Sequence, residues 1–144
     1  MTVGTLIEAR RDVYSIRDDL TVYEAARYLR EKQVRCVGVC DCNGELLGVV
    51  SQSDISDKVA AENHCPAWMR VSEIMTSELT TVPPETGLDE CLRLMEQHGF
   101  YHLPVRDKHG HYCGMISVKD LLKVIASDEK ARADMLEAFL FPQR

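Results

Sequence analysis

Two stretches of this chain carry the same polar set at the same spacing. "GVVSQSD" spans residues 48–54 and "GMISVKD" spans residues 114–120, each reading glycine, two apolar residues, serine, two further residues, aspartate. Ser51 with Asp54, and Ser117 with Asp120, place a hydroxyl and a carboxylate three positions apart. Two chemistries suit such a pair. As a capping box, the hydroxyl accepts a backbone N–H at a helix start and the carboxylate sits at the positive end of the helix. As a ligand site, the carboxylate accepts two hydrogen bonds from a ribose diol, while the hydroxyl and helix N–H groups meet a phosphate. The glycine ahead of each serine lets another group come close to the strand backbone. Both readings use the same atoms, and both stay open at this level.

Other reactive groups are sparser. Cys40 and Cys42 flank a turn, His64 and Cys65 sit together, and His109 and His111 occupy a second turn. A zinc site wants four convergent ligands, commonly from two recognisable pairs. No second pair follows Cys40 and Cys42, so ordinary thiols are the leading reading and a redox or metal sensor an alternative. No phosphate loop, HExxH or supported Ser-His-Asp set occurs, and an enzyme is not expected. His102, two residues before Pro104, reads as a cleft-lining or core histidine rather than a general base.

The elements that must position the two pairs repeat with them. Sliding the chain by 66 residues aligns residues 20–59 with 86–125 without gaps, pairing among others Glu24 with Glu90, Arg27 with Arg93, Asp41 with Asp107 and Gly44 with Gly110. In each copy a helix comes first (21–32; 87–98), opened by a Thr21–Glu24 capping box or by Gly87 with Glu90. Short apolar strands follow at 36–40 and 102–106. The turns "DCNG" and "DKHG" lead into return strands at 45–51 and 111–117. Short helices are predicted at 53–61 and 119–126, and first strands at 13–16 and 79–82. Residues 71–76 read as a lead-in helix, with 3–8 a looser equivalent. The fold class is α/β (α+β): strand–helix–strand–strand–helix, twice. The units are a first motif at 1–62, a linker at 63–70, a second motif at 71–126 and a C-terminal amphipathic helix at 127–144. That helix is predicted to be capped by Ser127, and its Met135, Leu136, Phe139 and Leu140 to pack on the module or on a second subunit. Trp68 and Met69 are predicted to cover a core edge.

Composition narrows the classes. The 144 residues are 45% apolar and 28% charged, an ordinary globular mixture suited to one compact domain or two halves sharing a core. A net charge of −6 argues against a general nucleic-acid binder, though a local basic pocket is compatible with it. The first residues lack the apolar core of a secretory signal, and no apolar run is long enough to cross a bilayer. Six cysteines without an export signal read as reduced thiols, which points to the cytoplasm.

The duplicated unit, with "VSEIMT" before a strand, "FYHLPVRDKHGHYCGMISVKDLLKV" and its "GVVSQSD" echo, resembles a tandem pair of cystathionine-β-synthase (CBS) domains. The resemblance covers nearly the whole chain except the terminal helix. It implies two motifs packed sheet to sheet about a pseudo-twofold axis, commonly joined as a disc-like homodimer. It implies clefts for adenosyl ligands: AMP, ADP, ATP, sometimes S-adenosylmethionine or a dinucleotide such as NAD. By the family pattern the aspartate holds the ribose, and the serine with the residue before the aspartate faces phosphate. Those positions are Ser51, Ser53 and Asp54 in one copy, and Ser117, Lys119 and Asp120 in the other. The resemblance also implies that Asp54 faces Val82, Tyr101 and His102, and that Asp120 faces Ile16, Arg35 and Cys36. Lys119 and Arg35 are fixed cations, so the Asp120 cleft is expected to prefer a phosphorylated ligand. Tyr101 stands where the family often has a basic residue, and Cys36 where it often has histidine or a small polar residue. The expected function is a stand-alone regulatory module that senses an adenosyl ligand and signals to a partner protein. The alternatives are an interaction module with empty clefts, and a cysteine-based redox or metal sensor.

Overall fold

The computed structural model describes residues 1–10, 12–127 and 129–141. Its elements run α1 (Val3–Glu8), β1 (Ser15–Arg17), α2 (Val22–Lys32), β2 (Cys36–Cys40), β3 (Leu46–Ser51), α3 (Gln52–Ile55), α4 (Val71–Ile74), α5 (Leu88–His98), β4 (His102–Arg106), β5 (Tyr112–Ser117), α6 (Val118–Ser127) and α7 (Glu129–Leu140). A π-helical turn at Ser56–Ala60 extends α3, and a 3-10 turn at Pro66–Trp68 precedes α4. The fold is mixed α+β with two copies of one motif.

Each copy carries an antiparallel hairpin, β2 with β3 and β4 with β5, and each hairpin has a register shift near its turn. In the first copy β1 adds a parallel third strand on β2. The expected strand at 79–82 reduces to a single parallel bridge, Val82 to Val105. Its cause lies in the next two residues. In the first copy the N–H of Asp18 continues the pairing to the Cys40 carbonyl at 3.3 Å. The counterparts of Arg17 and Asp18, 66 residues on, are Pro83 and Pro84, which have no N–H to give.

Periodicity placed the long helices well. Val22, Ala25 and Leu29 of α2 are buried behind an intact Thr21–Glu24 capping box, and Leu88, Cys91, Leu92 and Met95 are buried on α5. Each motif then forms its own core, but the lead-in helices are exchanged. Val3 and Ile7 of α1 are buried in the core of the second motif. Val71 and Ile74 of α4 are buried in the core of the first. Backbone bonds fasten the exchange: Val3 N–H to the Thr86 carbonyl at 2.8 Å, and Val71 N–H to the Leu20 carbonyl at 2.8 Å. The hairpins meet across the middle, where the Tyr112 ring lies over Gly38; a Cβ there would fall 2.7 Å from the ring.

Two local expectations are corrected, and a third is narrowed. Trp68 is exposed, while Met69 does pack on the first core. The Ser127 hydroxyl bonds back to the Val124 carbonyl at 3.1 Å, as the last residue of α6, and does not open α7. On α7, Ala138 packs on the second core while Leu136, Phe139 and Leu140 are exposed, which leaves a second subunit as the other expected surface. Residues 128 and 142–144 and the side chain of Met135 lie outside the described residues.

Candidate functional site

Both Ser-x-x-Asp pairs form reciprocal caps. In the first, the N–H and hydroxyl of Ser51 donate to Asp54 Oδ2 at 2.9 and 3.0 Å, and the Asp54 N–H donates to the Ser51 hydroxyl at 3.2 Å. In the second, the N–H and hydroxyl of Ser117 donate to Asp120 Oδ2 at 2.8 and 2.9 Å, and the Asp120 N–H donates back at 3.2 Å. Capping therefore uses one oxygen of each carboxylate, and the second oxygen decides what else the residue can do.

For Asp54 that oxygen is spent. Its Oδ1 accepts the Thr76 hydroxyl at 3.2 Å and pairs with the Lys58 ammonium at 2.9 Å, and Lys58 also donates to the Ile74 carbonyl at 2.8 Å. The Asp54 side chain is only 10% exposed. Asp120 differs at both neighbours. The counterpart of Lys58, 66 residues on, is Val124, a buried core residue. The counterpart of Thr76 is Arg10, whose guanidinium pairs with Asp120 Oδ2 at 2.6 Å and donates to the Met115 carbonyl at 2.7 Å. Among the described residues no hydrogen bond reaches Asp120 Oδ1, and the side chain is 23% exposed.

Burial opposes ionisation of Asp120, but the Ser117 N–H and hydroxyl and then the Arg10 guanidinium outweigh it and hold the carboxyl below its usual range. It is an anion at neutral pH.

A cleft of about 650 Å³ opens at Asp120. Ser117, Lys119, Arg35 and Cys36 line it as expected from the resemblance, and so do Tyr101 and His102. Sequence reasoning missed Arg10, Lys123, Asp12 and Tyr112. Among the described residues, four cations (Arg10, Arg35, Lys119, Lys123) thus face two carboxylates (Asp12, Asp120). The second cleft, about 440 Å³, holds Ser51, Ser53, Asp54, Tyr101 and His102. Arg35 and Cys36 border it too, so Arg35 is shared by the clefts, and Glu78 adds an anion. Ile16 and Val82 line neither cleft; both are buried in the cores behind them.

The glycine of each motif serves the exchanged lead-in segment. A Cβ on Gly48 would fall 2.8 Å from the Thr76 carbonyl oxygen, and one on Gly114 3.1 Å from the Ile7 side chain. Close approach at these glycines is by the protein's own chain.

Cys36 in the clefts and Cys91 in the second core are poor nucleophiles. Burial first, then the Asp54 charge, push the Cys36 thiol up to about 12. Burial and then Asp89 push Cys91 up to about 11. Burial lowers the His102 pKa; the Asp120 charge works against that and Arg35 with it. Among the described residues no three His, Cys, Asp or Glu side chains gather to hold a metal ion, and no helix is long and apolar enough to cross a membrane.

A family model for the CBS domain matches residues 3–61 and again residues 71–127. The chain belongs to the CBS-domain family. A candidate signal-transduction protein with CBS domains from Burkholderia ambifaria is 33% identical, with a TM-score of 0.80 over 90% of this chain and 96% of that one. An uncharacterized protein of Methanocaldococcus jannaschii is 33% identical over 76% of this chain, which spans 59% of that relative's length. A CBS domain pair solved in complex with 5'-methylthioadenosine and S-adenosyl-L-methionine is 20% identical, with a TM-score of 0.78 over 88% of this chain and 97% of that one. At that identity the likeness concerns the fold alone.

Proposed function

We propose that this CBS-domain protein is a regulatory module rather than an enzyme. It binds an adenosyl ligand of the AMP, ADP or ATP class in the Asp120 cleft, and a partner protein reads the resulting change in the angle or rigidity of the two motifs. One observation carries the reading: Asp120 keeps an oxygen for a ribose diol inside a cleft rimmed by four cations, whereas both oxygens of Asp54 are occupied. Ser117 and Lys119 serve the phosphate, Arg35 supports it, and Cys36, Tyr101 and His102 border the base. The anionic requirement favours nucleotides over S-adenosylmethionine, whose sulfonium is a cation. That a fold neighbour holds two adenosyl compounds supports the choice of ligand class. Regulation follows from differential affinity: a ligand shifts two arrangements only as far as it binds one better.

The module pairs with a second copy of itself. Leu122 on α6 and Leu136, Phe139, Leu140 and Phe141 on and after α7 are large, apolar and exposed, a group that a monomer leaves in water. A cytoplasmic setting fits the six unpaired cysteines.

Titration calorimetry with AMP, ATP and S-adenosylmethionine tests the ligand assignment. A nucleotide is expected to give heat that Asp120→Ala abolishes and Asp54→Ala leaves. No heat from any of the three, or binding indifferent to Asp120→Ala, refutes it.

A further inference from the structure

Among the described residues, Arg10 is the cation that the exchanged lead-in segment brings to the Asp120 cleft. It stands two residues beyond the end of α1, as Thr76 stands two beyond the end of α4, and the repeat offset of 66 pairs the two. Both side chains reach the aspartate of the opposite motif, at 2.6 Å for Arg10 to Asp120 and 3.2 Å for Thr76 to Asp54. A hydroxyl in one copy has therefore become a guanidinium in the other.

From this we infer that Arg10 is the specificity-determining residue that makes the Asp120 cleft discriminate phosphorylated adenosyl ligands from uncharged ones. The inference rests on the proposal that this cleft holds an adenosyl ligand. A guanidinium carries five N–H donors in a fixed fork. Arg10 directs Nη1 at the Met115 carbonyl and Nη2 at Asp120 Oδ2, which leaves donors for a further anion. The side chain is 31% exposed, inside the cleft lining. Because Arg10 holds Oδ2, a ribose diol takes Oδ1 without displacing it, and the remaining guanidinium donors are left for the phosphate of the same ligand. Lys119 and Lys123 add charge at the same cleft but are held by no bond among the described residues, so Arg10 is the pre-oriented donor. A pre-oriented donor spends less conformational entropy per hydrogen bond formed than a mobile lysine. Asp12, the opposing carboxylate in the cleft, belongs to the same connecting segment and limits the net positive charge.

The test compares dissociation constants of ADP and of adenosine for the wild type, Arg10→Met and Arg10→Lys, each checked by thermal melting. Wild type is expected to bind ADP more tightly than adenosine. Arg10→Met is expected to weaken ADP by about tenfold or more, the worth of a charge-assisted hydrogen bond, while adenosine changes by less than about twofold. Arg10→Lys is expected to fall between them, since it keeps the charge and loses the fork, and it serves if Arg10→Met does not fold. Equal losses for ADP and adenosine overturn the inference, because Arg10 then acts only through the orientation of Asp120. Unchanged ADP affinity in both variants overturns it as well. A wild type that binds no adenosyl compound at all overturns the ligand assignment itself, which keeps the two failures apart.

Discussion

Asp54 and Asp120 occupy the same place in the same motif and make the same cap, yet they are different chemical objects. The difference comes from two substitutions between copies: Lys58 against Val124, and Thr76 against Arg10. The first closes the Asp54 carboxylate from its own helix, and the second braces Asp120 while leaving one oxygen open. His102, which borders both clefts, adds a pH dependence at this scale. Its folded pKa lies below the ordinary 6.5, chiefly through burial. The unfolded chain therefore binds more protons there than the folded one, and the stability this histidine contributes is full above pH 6.5 and lost as pH falls below it. Asp120, also depressed, keeps its contribution until much lower pH, below its ordinary 3.8. Melting temperature is expected to drop between pH 7 and 5, and His102→Gln to flatten that drop. An unchanged slope in the variant would contradict the assignment.

At the scale of elements, the exchange of α1 and α4 places the sites. It brings Arg10 to Asp120 and Thr76 to Asp54, and glycine at position 48 is what lets the α4 segment lie against β3. The N–H of Val49 and that of Thr76 each donate to the other's carbonyl at 2.9 Å. The neighbour that a Cβ at 48 would strike is a backbone oxygen, which cannot rotate away. Gly48→Ala is expected to cost about 1–3 kcal/mol in urea denaturation, in the range of overpacked interiors. A loss below about 0.5 kcal/mol would mean the segments are not in contact. Much of this level was legible in the sequence. β2 and β4 end where hydrophobic runs meet Asp41 and Asp107, and the faces of α2 and α5 follow their periodicity. The exchange was not legible, because 3–8 and 71–76 carry the same short apolar pattern whichever core receives them. The over-long strand at 79–82 was avoidable: Pro83 and Pro84 announce that pairing must stop. Arg10 escaped notice because it lies outside residues 20–59, where the repeat is plain, although the same offset reaches it.

At the scale of the whole molecule, two related clefts share Arg35, Cys36, Tyr101 and His102, and of the two motif aspartates Asp120 alone keeps an oxygen without a hydrogen bond among the described residues. The duplicated fold thus leaves Asp120 Oδ1 open in one cleft, whereas Lys58 and Thr76 occupy the equivalent oxygen of Asp54 in the other. The proposed pairing with a second copy uses the exposed apolar residues of α6 and α7. Light scattering is expected to report a dimer that Leu140→Asp with Phe139→Asp converts to monomer; a monomeric wild type contradicts that arrangement. The central claim, that the Asp120 cleft is the receptive one, has a direct readout in calorimetric stoichiometry. Titration with ATP is expected to fit one molecule per chain and to lose all heat in Asp120→Ala. Two molecules per chain, or one that survives in Asp120→Ala and vanishes in Asp54→Ala, would contradict it.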